Sequence, residues 1–69
     1  MTIKKEHAGW YYITLNDGRK YMLAQTGGWE FPWNLHNWSE YFKCYDLCDY
    51  ECFKTKREAL QQLKLEENN

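Results

Sequence analysis

The chain has 69 residues, a formal net charge of −1 and 19% aromatic side chains. That length bounds it to one domain near the lower limit for a self-sufficient core, with large rings helping to bury area. The near-neutral charge argues against broad attraction to nucleic acid or anionic lipid, and no apolar run approaches the ~20 residues of a membrane span.

Residues 1–8 are polar and read as either a frayed end or a short strand through Ile3. Basic residues with no apolar stretch behind them do not make a secretory signal. An odd number of cysteines, three, in such a chain points to reduced thiols in a cytosol.

Gly9 to Thr26 reads as a β-hairpin: two runs of aromatic and aliphatic residues joined by Asn16-Asp17-Gly18. A two-residue loop would set Leu15 opposite Lys20. A three-residue loop with Gly18 left-handed sets Leu15 opposite Arg19, Ile13 opposite Tyr21 and Tyr11 opposite Leu23. The second register is preferred, because it gathers Tyr11, Ile13, Leu15, Tyr21 and Leu23 on one face. The other face then carries Trp10, Tyr12, Met22 and Ala24, too apolar to be merely solvated. Another part of the chain, a second copy or a partner must cover it.

Gly27-Gly28 ends the second strand. Trp29 to Trp33, interrupted by Pro32, reads as an extended aromatic loop or short edge strand whose rings cover one side of the sheet. Trp38, Tyr41, Phe42 and Tyr45 fall at helical spacing, which predicts a short helix within Asn34–Tyr45. Alternation of Cys48, Tyr50 and Cys52 with Asp49, Glu51 and Phe53 predicts a third strand ending at Phe53. Thr55-Lys56-Arg57-Glu58 is a capping box, and Ala59, Leu60 and Leu63 form the apolar stripe of a helix that must dock on the sheet. The tail Glu66 to Asn69 is expected to be solvated, so residues 1–8 and 66–69 are the candidates for fraying in a single domain, 1–69.

The run Phe53-Lys54-Thr55-Lys56-Arg57-Glu58-Ala59-Leu60-Gln61-Gln62-Leu63 fits F-x-T-x-x-E-A-x-x-x-L, and Trp10-Tyr11-Tyr12-Ile13 fits W-Y-x-I. This pairing resembles small phage-encoded and mobile-element accessory proteins. The resemblance covers the hairpin and the last twenty or so residues, not Gly27 to Asp46. It implies an accessory phage protein; some such proteins inhibit host defence enzymes, CRISPR nucleases among them, by occupying a functional surface.

Cys44, Cys48 and Cys52 recur every four residues, with His36 upstream. On a strand such positions lie ~13 Å apart, too far for one metal, so free thiols, buried or half-buried, are preferred to zinc. No nucleophile elbow or phosphate-cradling loop accompanies the histidines or Gly27-Gly28, and no enzyme or cofactor is expected. Sheet aromatics could stack on single-stranded nucleic acid, but the basic residues are scattered. Glu40, Asp46, Asp49 and Glu51, against Lys43 alone, surround Tyr41, Phe42, Tyr45 and Tyr50 and suggest a protein-binding surface with an acidic rim.

The resulting expectation is an α+β fold, an antiparallel sheet of about three strands with the C-terminal helix on one face and a short helix in the middle. The expected role is a non-enzymatic binding protein, with Trp10, Tyr12, Trp33, Tyr41, Asp46, Asp49 and Glu51 contacting a basic host protein and a homodimer allowed. A single-strand nucleic-acid module is the runner-up.

Overall fold

A computed structural model describes residues 1–68; of the expected solvated tail, Asn69 lies outside the described residues. Strands β1 (Thr2–His7), β2 (Trp10–Thr14), β3 (Lys20–Ala24), β4 (Trp33–Ser39) and β5 (Cys44–Phe53) precede helix α1 (Lys56–Glu67). The strands form one antiparallel meander in chain order, β1 to β5. The α+β class holds, but the sheet has five strands rather than about three.

The β2–β3 register is the one that Asn16-Asp17-Gly18 predicts. Ile13 faces Tyr21, Tyr11 faces Leu23 and Trp10 faces Ala24. The Leu15 N–H donates to the Arg19 carbonyl at 2.9 Å, and Gly18 sits at φ 93°, where a Cβ would be strained. The Arg19 N–H donates to the Asp17 carboxylate at 3.0 Å, which tightens the loop.

At the added strands one sequence reading is corrected and one left open is decided. Residues Trp33–Ser39 are a strand and not part of a helix: Leu35 opposes Leu23 and His36 opposes Met22. The helical spacing of Trp38, Tyr41, Phe42 and Tyr45 instead straddles a strand, a turn and a second strand. At the N-terminus, Ile3 pairs with Ile13 and Lys4 with Tyr12, so residues 2–7 form an edge strand.

One face of the sheet packs on α1. Ile13, Leu15, Tyr21, Leu23 and Leu35 close against Ala59 and Leu63, with Tyr11, Trp33, Phe53 and Leu60 at the margin. The Thr55 hydroxyl accepts from the Glu58 N–H at 3.1 Å and caps the helix where the sequence places its start, though the reciprocal bond from the Thr55 N–H to the Glu58 carboxylate is absent among the described residues. The far end of α1 is tied down. The Glu67 carboxylate accepts from the Asn16 N–H and pairs with the Met1 amino group at 3.2 Å, while Glu66 accepts from the Tyr21 hydroxyl at 2.9 Å. Glu66 and Glu67 therefore belong to the docked helix and not to a free tail. Burial and the Glu66 bond push the Tyr21 phenol above its usual range.

Between β3 and β4 the chain closes on itself through the Gly27 N–H, which donates to the Pro32 carbonyl at 2.9 Å. A Cβ at Gly27 would sit 2.4 Å from the Phe31 carbonyl oxygen, so the loop needs the bare backbone. Trp29, at the loop's tip, is 96% exposed. The expectation that these rings cover the sheet fails for it, because the Gly27–Pro32 closure turns the tip into water.

Candidate functional site

The face of the sheet away from α1 has no helix over it, yet Met22, Ala24, Asn34 and His36 beneath it are buried. Rings cover them. Tyr45 lies between Tyr12 at 5.6 Å and Trp38 at 5.0 Å, the latter edge to face, and Tyr50 packs on His36 at 5.0 Å. The cover that the hairpin demanded is thus supplied by β4 and β5 of the same chain. Burial and the neighbouring Tyr12 raise the Tyr45 phenol above its ordinary value. His7 stacks beside Trp10 at 5.6 Å on the same face.

The β4–β5 connection carries the more exposed groups. Trp38 pairs with Tyr45 and His36 with Tyr50, so Asn37 alone faces Asp46, Leu47, Cys48 and Asp49. This bulge has its own fastening. The Asp46 carboxylate accepts from the N–H groups of Cys48 and Asp49 at 3.0 and 3.1 Å. The Asp46 carbonyl accepts from His36 Nδ1 at 2.9 Å, which places the proton on that nitrogen. A bulge of this size turns Leu47 outward, 66% exposed.

The turn itself lifts Tyr41 and Phe42 off the sheet. They are 87% and 72% exposed and meet edge to face at 4.8 Å. The Phe42 N–H donates to Ser39 Oγ, Lys43 takes a left-handed φ of 55°, and the Lys43 ammonium reaches Glu40 at 3.1 Å. The Lys43 hydrogen bond holds the Glu40 carboxyl below the usual carboxylate range. The rings are therefore presented by a turn with its own hydrogen bonds.

The residues expected to bind a partner do not form one patch. Trp10 and Tyr12 sit half-buried on the ring-covered face. Trp33 lies on the other side, 6.2 Å from Tyr11 at the margin of the helix core. Tyr41 is in the turn and Asp46 in the bulge. Asp49 and Glu51 border a shallow polar depression with Arg19, Tyr21 and Glu66, on the helix side. Phe42 was visible in sequence as part of the acidic-aromatic segment. Leu47 and Trp38 were not singled out; an isolated leucine among carboxylates gives no sign of the bulge that exposes it.

The cysteines correct another expectation. Cys44, Cys48 and Cys52 are free and exposed, neither buried nor half-buried. β5 is an outer strand of the sheet, and the bulge breaks the spacing that would have kept the three in one environment. Among the described residues, no group of three His, Cys, Asp or Glu side chains is placed to hold a metal ion. No described helix is long and apolar enough to cross a membrane.

No family model matches the chain, and neither a curated protein nor a solved structure is similar to it.

Proposed function

We propose that the protein is a small non-enzymatic binding protein that docks on a protein partner through the β4–β5 hairpin. The observation carrying this reading is the Tyr41–Phe42 pair, 87% and 72% exposed on a fastened turn. Two adjacent rings held in water cost hydration free energy that burial in a partner's pocket recovers, and such rings are the common anchors of interfaces. Leu47 is a further exposed apolar group on the same hairpin, and Glu40, Asp46 and Asp49 give the hairpin a negative charge that favours a basic partner and speeds encounter. The resemblance to phage accessory proteins supplies the partner class: a host macromolecule such as a defence nuclease with a basic groove, met in the host cytosol and inhibited or modulated by occlusion.

Capture from a bacterial host lysate tests this reading, with the wild-type chain beside Tyr41→Ala/Phe42→Ala. A protein retained by the former and lost by the latter supports it. Identical capture by both removes the hairpin from the argument.

A second reading has its own observation. Lys4 lies opposite Tyr12, and the Lys20 ammonium sits 5.5 Å over the Trp38 ring, so cations flank the ring-covered face. A single-stranded nucleic acid stacked there would quench tryptophan fluorescence. Tight, salt-sensitive quenching by an oligonucleotide would reverse the ranking; little change at physiological ionic strength keeps the protein partner first.

A further inference from the structure

The two outer edges of the sheet differ in charge. Near β5, Lys20 and Lys54 lie over the Trp38 and Phe31 rings, and the other cations are paired: Lys43 with Glu40, and Arg19 with Asp17 and Glu66. Along β1 they are not. Lys4, Lys5, Lys56, Arg57 and Lys64 have no carboxylate within 4.0 Å among the described residues, while Lys56 leans on the Tyr11 ring at 4.5 Å.

Beside this edge, between β1 and α1, runs an open groove of about 430 Å³. Met1, Ile3 and Leu60 give it an apolar floor, and Lys56, Arg57 and Lys64 stand along it, with no carboxylate among its lining residues. Ile3 is 47% exposed there, although its partner Ile13 is fully buried. β1 pairs only with β2, so its outer N–H and C=O groups are unpaired by any strand. All six of its residues are exposed.

We infer that this edge receives an extended acidic peptide from a protein partner, added to β1 as a sixth strand. Strand addition satisfies the outer backbone groups of β1. Alternate side chains of the added strand fall on the helix side, next to Ile3, where the groove accepts an apolar group. Carboxylates two residues to either side of that group share its face and meet Lys5, Arg57 and Lys64. The chemistry is distinct from that of the β4–β5 hairpin, whose rim is acidic and whose partner is basic. The two sites lie at opposite edges of the sheet, and either stands without the other.

Fluorescence anisotropy with a labelled acidic peptide, Glu-Thr-Val-Thr-Glu-Thr-Val, which sets its glutamates and valines on one face and threonines on the other, tests the inference. Two further forms of the peptide carry N-methyl groups on one or the other alternate set of backbone nitrogens. The acidic peptide is expected to bind, more weakly as salt rises, and a lysine–valine peptide is expected not to. Methylation of one set should abolish binding and methylation of the other should leave it, because only one set of N–H groups faces β1. Arg57→Glu/Lys64→Glu, both exposed, should lower affinity by about tenfold at low salt. Ile3→Ser should lower it at every salt concentration, with the circular dichroism spectrum checking that each variant folds. Failure of the acidic peptide to bind would overturn the inference, as would equal binding of both methylated forms. Retention on phosphatidylserine vesicles without peptide binding would assign the basic edge to a lipid surface instead. Concentration-dependent dimers in light scattering, dissolved by Lys64→Glu, would assign it to a second copy.

Discussion

The two faces of the sheet are buried by different means. On one, Ile13, Leu23 and Leu35 pack against Ala59 and Leu63, and a capped helix does the covering. On the other, Met22 is as well buried, but under a layer of Tyr12, Tyr45 and Trp38, which come from the sheet's own strands. A small chain can thus cover both sides of five strands with a single helix, provided that the second side carries rings large enough to lie over their neighbours. Part of the high aromatic content serves this cover, while Tyr11, Tyr21, Trp33 and Phe53 serve the helix face. Among the side chains left exposed beyond it are Trp29, Tyr41, Phe42 and Leu47, the last three on the hairpin proposed to bind.

Substitutions can break that contrast at graded cost. Leu63→Ala empties the centre of the helix face, where the side chain has no exposure, and should cost about 3 kcal/mol by urea denaturation, a large share of a small domain's stability. Tyr45→Ala removes the ring that joins Tyr12 to Trp38 and uncovers Met22; because the site is half-open, the expected loss is smaller, about 2 kcal/mol. Equal losses at the two positions would show that the ring layer is as much a core as the helix face.

The helix's two ends come next. Thr55→Ala should cost ~1 kcal/mol through the lost acceptor for the Glu58 N–H. At the other end, the Tyr21 phenol has its proton affinity raised in the folded state, first by burial and then by Glu66. The folded chain therefore holds this proton more tightly than the unfolded one. Its contribution is fully present below the unfolded phenol value of about 10 and is lost as pH climbs through the higher folded value. Tyr45 acts in the same direction. Stability should fall as pH rises above about 10, and Tyr21→Phe should flatten that decline; a Tm series across alkaline pH measures both.

The smallest effect on folding is expected where the largest effect on binding is proposed. Tyr41→Ala/Phe42→Ala should move the urea midpoint by no more than the equivalent of ~0.5 kcal/mol. A larger shift would mean that the turn rings support the fold and are not surplus.

How far the sequence revealed this architecture depended on the clarity of each local signal. The Asn16-Asp17-Gly18 loop fixed a register, and Thr55 with the Ala59–Leu63 stripe located the helix. β4 is obscured because the rings of Trp38, Tyr41, Phe42 and Tyr45 run on at helical spacing across its end and the following turn, while Asn34 and His36 fill buried positions that polar residues seldom take. In β5 the extra residues from Asp46 to Asp49 shifted the alternation halfway along the strand. β1 was ambiguous because its lysines, suited to an edge, leave Ile3 as the sole apolar marker between Met1 and Ala8. Of the candidate site, Tyr41 and the acidic segment were legible, whereas the opposite placement of Trp33 and Trp10 depended on a strand that had been read as something else.

The order of the strands also bears on how quickly the chain finds its shape. Each strand pairs with the one beside it in sequence, so every ladder closes over a short loop and little chain entropy is lost at each step. Hydrogen bonds between distant parts of the chain gather mostly at the end of α1, where Glu66 and Glu67 meet Met1, Asn16, Arg19 and Tyr21. The meander can therefore zip from hairpin to hairpin as the polypeptide emerges, and the helix locks it only when the last turn is made. The ring-covered face is complete once β5 has paired, whereas Ile13, Leu23 and Leu35 stay open to water until α1, the last element, docks.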